Sequence, residues 1–171
     1  MAVIDKLNNA NALNLASSWT GGVFPGVADL ARWNFNAVNT VSTGLIAGGT
    51  NGLSVGAIEI SGLQTNIITI SSGTAGPITL NGYISNNKTF GFMHGGYAQI
   101  RIDTMVVVPN EQIWEIGPVV GPLNNTIVDI GLNAATGVLS GSGDIIKTGP
   151  IGSLRFFRAN PLYTGNIYID E

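Results

Sequence analysis

The sequence predicts an all-β protein, either a β-solenoid resembling a parallel β-helix or a mixed β-helix and β-sandwich, with an N-terminal arm. Three observations carry that expectation. Charged residues are only 10% of the 171 residues, against roughly 25% in an ordinary soluble domain. Exposed helix faces are normally filled with Glu, Lys, Arg and Gln, so a chain this poor in charge does not read as helical. The 24 glycines, with many Asn, Ser and Thr, supply the corners that a set of short strands needs. Finally, short apolar runs alternate with small polar residues at the period of two that marks a strand with one face buried.

In chain order, residues 1–18 are polar and Asn-rich, with Leu7, Leu13 and Leu15 among their large apolar side chains. They read as an arm that orders on docking, or as a short first strand or helix. Residues 19–171 are expected to form a single β-rich domain. Trp19-Thr20-Gly21-Gly22-Val23-Phe24-Pro25-Gly26 is a run of tight reversals, followed by a strand-like run from Leu30 to Phe35. Residues 53–84 are the most regular part, with Val55, Ile58, Ile60, then Ile67, Ile68, Ile70, then Ile78 and Leu80 separated by Gly-, Ser- and Asn-rich corners. A spacing near ten residues fits a meander or successive sides of a parallel β-helix, and the helix is favoured because its corners accept these residues. Between 88 and 130 aromatics and longer apolar runs replace that texture, and antiparallel strands are expected. The regular texture returns over 131–171.

Two stretches resemble known sequences. Leu139-Ser140-Gly141-Ser142-Gly143-Asp144-Ile145-Ile146-Lys147-Thr148-Gly149, then Leu154, Ala159-Asn160 and Tyr163-Thr164-Gly165-Asn166-Ile167, resembles the autotransporter-associated β-strand repeat over about thirty residues. The sequence departs from that pattern at Pro150, Phe156, Phe157, Pro161 and Leu162. Trp19, Gly21, Gly22, Pro25 and Asp29 are similar to an opening segment that precedes strand repeats in large secreted proteins and phage virion proteins. That resemblance implies a cap over the first strands of a solenoid, shielding an unpaired edge. Together the two imply a stiff display element without catalysis.

Composition narrows the functions further. A net charge of −3 offers no basic patch for nucleic acid. The absence of Cys removes disulfides and thiolate metal sites. No cationic region followed by an apolar run opens the chain, so no secretion signal is expected, and no apolar stretch approaches a membrane span. The single histidine, His94, is expected in a turn or at an interface, because a hydrolytic triad needs a nucleophile and a carboxylate beside it. Asp103, Glu111, Glu115 and Asp129 are the carboxylates a glycan-cleaving enzyme would draw on. Gly141 to Thr148 ends like a phosphate loop but has Ile146 where Gly is needed. Asn87-Lys88-Thr89 and Asn124-Asn125-Thr126 match the glycan-acceptor pattern by composition alone.

No enzyme activity, cofactor or metal is expected. The short, acidic, cysteine-free chain is similar to small capsid-decoration (cement) or fibre proteins of tailed phages. That resemblance implies assembly in the host cytoplasm, a virion-surface location, a homotrimer and contacts with a major capsid protein, without nucleic acid or membrane. The alternative is a fragment of a secreted passenger or adhesin at the cell surface. Candidate interface residues are Leu7, Leu13 and Leu15 in the arm, and Arg155, Phe157 and Arg158 in the one locally basic aromatic patch.

Overall fold

In the described residues, the runs read as alternating apolar and small polar residues form strands. A computed structural model describes residues 1–34, 52–61, 67–71, 76–95, 99–117, 126–133, 137–149 and 152–170. In chain order the strands are β1 (Val3–Asp5), β2 (Leu30–Trp33), β3 (Leu53–Val55), β4 (Ala57–Ile60), β5 (Ile68–Ser71), β6 (Ile78–Leu80), β7 (Tyr83–Ser85), β8 (Lys88–His94) and β9 (Gln99–Asp103). They continue with β10 (Val106–Val107), β11 (Gln112–Ile116), β12 (Ile127–Ile130), β13 (Leu139–Gly141), β14 (Ile145–Thr148), β15 (Ser153–Phe156), β16 (Leu162–Tyr163) and β17 (Ile167–Ile169). Among the described residues, helical backbone is confined to two short 3-10 turns, Ala16–Ser18 and Thr20–Gly22. Phe35, Asn124, Asn125 and Pro150, which the sequence singled out, lie outside the described residues.

The protein is all-β, and its sheets are parallel. The first sheet has the order β1-β2-β4-β8-β11-β14-β17, the second β3-β6-β10-β13-β16 and the third β5-β9-β12-β15. From β3 onward the chain visits the second, first and third sheets in the same rotation, pass after pass, and ends on β16 and β17. Parallel neighbours need a long crossover, and here the other two sheets provide it.

Register turns this topology into stacked side chains. In the first sheet Ile4, Ala31, Ile58, Phe92, Trp114, Lys147 and Ile169 lie opposite one another on successive strands. Leu53, Ile78, Val106 and Leu139 form the corresponding column in the second sheet. Ile70, Ile102, Ile130 and Phe156 do so in the third. All of these except Ile4, Lys147, Ile169 and Phe156 belong to a single buried apolar cluster, against which Ile4 and Phe156 pack. Full burial of such a side chain contributes about 1.5–3 kcal/mol.

Two expectations need correction. Residues 88–130 are not a set of antiparallel strands: β8, β9, β10, β11 and β12 all pair in parallel within the three sheets. The antiparallel pairing is limited to β7 against the start of β8, joined by Asn86 and Asn87. Both have positive φ, 50° and 60°, as a two-residue hairpin turn requires. The change of texture has a packing cause, since Phe92 and Trp114 occupy column positions held by Ala31 and Ile58 earlier. A register shift between Ile113 and Trp114 accompanies them. At Gly91, inside that shift, a Cβ would fall 1.4 Å from Gln112 Oε1. The missing side chain leaves room for the buried Gln112 amide, whose Oε1 accepts from Trp114 Nε1 at 3.1 Å and whose Nε2 donates to the Leu80 carbonyl at 3.0 Å.

Of the two readings of residues 1–18, the short first strand holds and the free arm does not. β1 extends the first sheet in parallel beside β2, and Lys6 forms an antiparallel bridge with Trp19. Leu13 and Trp19 are fully buried and belong to the core cluster. An Asn-rich composition conceals this because two large side chains and a closed set of loop hydrogen bonds are enough to dock the segment.

Candidate functional site

The β1 end of the molecule is built from the segment between β1 and β2. Trp19 packs edge-on against Trp33, with ring centroids 5.5 Å apart. Its Nε1 donates to the Leu13 carbonyl at 2.7 Å, so the indole loses no hydrogen bond by burial. The Lys6 ammonium, 3% exposed, donates to the carbonyls of Leu7 and Asn9 and to Asn9 Oδ1 at 2.8, 2.9 and 3.0 Å. Burial lowers its pKa to about 8. Asp29 accepts from the backbone N–H of Gly26 and of Ala2, at 3.1 and 2.7 Å, which holds its carboxyl below the usual range. Asp5 and Arg32 pair at 2.6 Å on the outer face, and the carboxylate raises the arginine further.

All five residues expected to form a cap lie in this segment or at its edge. Trp19 and Pro25 are buried, Gly21 and Gly22 are exposed with φ of 77° and 69°, and Asp29 ties the segment to the N-terminus. Leu13, expected at an interface, is instead fully buried in the core cluster that also holds Trp19. Leu7 and Leu15 are exposed, 40% and 39%. The outer face also presents Val23, Phe24 and Val27.

The β17 end has no such cover in the described residues. Ile169 is 70% exposed although its register partner Lys147 is buried. Leu154 and Phe156, stacked on fully buried Val128 and nearly buried Ile130, are themselves only partly covered. A cavity of about 300 Å³ opens here, lined by Lys147, Leu154, Phe156, Ile167 and Ile169. The Lys147 ammonium donates to the Gly149 carbonyl at 2.7 Å. Tyr163 closes the neighbouring corner, its hydroxyl donating to either the Gly143 or the Asn166 carbonyl, 2.8 and 3.0 Å away. Burial, with Asp144 nearby, pushes that phenol up to about 12.

No family model, curated protein or solved structure matches this chain.

The residues considered for chemistry are dispersed. Asp129 accepts from Arg155 Nε and Nη2 at 2.6 and 2.9 Å and from the Gln99 amide. Arg155 also sits 5.6 Å from the centre of the Phe157 ring. The expected basic aromatic patch is thus internally tied at Arg155, while Phe157 and Arg158 are exposed. Asp103 accepts from the Asn133 backbone N–H and side-chain amide. Glu111 and Glu115 lie at and within β11 of the first sheet, away from Asp103 and Asp129 in the third. A second cavity of about 320 Å³ includes Glu59, Met93, His94 and Glu115. Register sets Glu59 and Glu115 on either side of Met93, roughly 9–10 Å apart by strand spacing. Burial raises the Glu59 carboxyl, with Arg32 opposing. Among the described residues no three His, Asp or Glu side chains gather as a metal site.

His94 is not a turn or interface residue. It is the last residue of β8, 1% exposed, between Ile60 and Ile116 in register. Sequence reasoning missed Ile167, Ile169 and Lys147 at one end, and Val23, Phe24 and Val27 at the other. One signal pointed to the latter: residues 7–28 carry no charged side chain.

Proposed function

We propose that this chain is a stiff structural element, a β-solenoid with the three parallel sheets as its sides, working through protein–protein contacts as a capsid decoration or fibre subunit on a virion surface. The observation that carries the proposal is the unbroken parallel ladder of seven strands from β1 to β17, stacked side chain on side chain. Such a ladder resists bending, because every internal strand is hydrogen-bonded on both edges. Its working surfaces are those where side chains are left uncovered, and self-association belongs to the same proposal. The test is co-sedimentation of the purified protein with particles encoded by the same genome and lacking this protein. A fixed copy number per particle is expected, and protein left in the supernatant removes the virion role.

A secreted passenger or adhesin is the second reading, and β13 to β17 favour it. The residues matching the autotransporter-associated repeat form successive parallel strands and end on an edge where a further repeat could pair. The flanking gene sequence tests it: a passenger requires an upstream secretion signal and a downstream membrane barrel.

A further inference from the structure

The exposed large apolar side chains are not scattered over the molecule. Of the 14 among the described residues, seven fall between Met1 and Val27 and five between Phe157 and Ile169. Among the described residues, the intervening part of the chain contributes only Ile67 and Ile84. An apolar surface concentrated in this way marks contact sites, whereas isolated exposed side chains do not.

The two ends are also different in kind. At the β17 end the interior is cut open, and β17, β16 and β15 are edge strands of their sheets. Unpaired parallel edges over an open interior are a template for association. At the β1 end the interior is covered by the fully buried Leu13 and Trp19, yet the same segment also leaves apolar side chains exposed: Leu7, Leu15, Val23, Phe24 and Val27. Burial of its own core explains the first set and not the second. The 7–28 segment carries no charged side chain, and at the tail Arg155 is paired with Asp129, which leaves Arg158 and Asp170, of opposite sign, exposed on either side of the uncharged run 159–169.

We propose that copies of this chain associate head to tail, the outer face of the 7–28 segment of one copy seated on the open β15–β17 end of the next. The segment is then a two-sided cover, closing its own interior with one face and its neighbour's with the other. β1 and β17 are the two free edges of the same sheet, so the contact continues the stacking direction. A heterologous contact of this kind does not close on itself along a straight axis and yields a linear stack. It differs from the homotrimer expected from the sequence, because a linear stack has no fixed copy number. The inference rests on the structural-element proposal only for the stacking geometry and is independent of any virion.

The test is light scattering over a concentration series on the full chain and two variants. Phe24→Asp with Val27→Asp alters the head, and Ile167→Asp with Ile169→Asp alters the tail; circular dichroism checks folding. Ile169→Asp alone serves if the tail pair fails to fold. The wild type is expected to grow beyond two copies with concentration. Each variant alone should remain at the 17.7 kDa chain mass. An equimolar mixture should form a species of twice that mass and grow no further, because one intact head meets one intact tail. A wild type that stays monomeric, a trimer insensitive to both changes, or a head variant that still dimerises through its tail would each overturn the proposal. Failure to bind particles in the co-sedimentation assay would leave these masses unaltered, so the two proposals fail separately.

Discussion

At the β1 edge the interior ends on Leu13 and Trp19, both fully buried; at the β17 edge it ends on Ile167 and Ile169, 39% and 70% exposed. Both are termini of one parallel ladder and face the same difficulty, a layer of apolar side chains with partners on one side only. At the first edge a 22-residue uncharged loop folds back and supplies partners from within the chain. At the second, β17 supplies strand pairing to β14 without covering the layer it completes. Backbone pairing and core closure are therefore separate tasks. A strand satisfies the first, and only side chains approaching along the stacking direction satisfy the second.

The largest expected effect lies at the sealed end. Trp19→Ala removes a buried indole packed edge-on against Trp33, and a loss of about 3–5 kcal/mol is expected from the lost transfer energy and the cavity left behind. Denaturant unfolding of monomeric protein measures it, and a loss below 1 kcal/mol would mean that the segment is not closing the core.

A second change asks whether the open end is uncovered or also loosely built. Gly141 in β13 has φ of 102°, and a Cβ there would lie 2.3 Å from the Val108 carbonyl oxygen. Gly141→Ala is expected to cost about 2 kcal/mol or more, combining left-handed backbone strain with a backbone clash. Wild-type stability in the same assay would indicate that the last passes shift freely.

Alkaline titration separates the ends by sign. Lys6 has a folded pKa of about 8, below its ordinary 10.5. Between these values the unfolded chain binds more protons, so the lysine's contribution to stability rises with pH over that window. Tyr163 is shifted the other way, from 10.0 to about 12. Its contribution is complete below pH 10 and is lost as the pH rises through 12. Melting curves of Lys6→Met and Tyr163→Phe, each subtracted from wild type across this range, should therefore slope in opposite directions.

The smallest effect is expected at the exposed tip. Ile169→Ser should change monomer stability by less than about 0.5 kcal/mol, while weakening self-association. A loss comparable to that of Trp19→Ala would show that β17 is covered in the monomer.

Much of the fold was legible in the sequence. Val55, Ile58, Ile60, Ile67, Ile68, Ile70, Ile78 and Leu80 were read as the apolar residues of one-face-buried strands, and all but Ile67, which precedes β5 and is exposed, are buried. The parallel pairing over 88–130 was not legible, because the repeat has no constant length. Phe92 stands 34 residues after its register partner Ile58, and Trp114 only 22 after Phe92. A fixed-period search loses such a repeat, and a change from Ile to aromatic side chains then looks like a change of architecture. The docking of Leu13 was hidden for a related reason: its partners Trp19 and Trp33 are six and twenty residues away, with no periodic pattern linking them.

Composition and alternation determined by themselves that this chain forms short strands with many corners, because backbone propensity and a one-sided apolar pattern act over a few residues. Which strands became neighbours was decided only in the tertiary structure, where Phe92 and Trp114 found places in a column begun by Ala31 and Ile58. The same holds for the contrast between the ends. The exposure of Leu7, Leu15 and Ile169 and the burial of Leu13 depend on what lies along the stacking direction, and that neighbour is set by long-range packing rather than by adjacent residues.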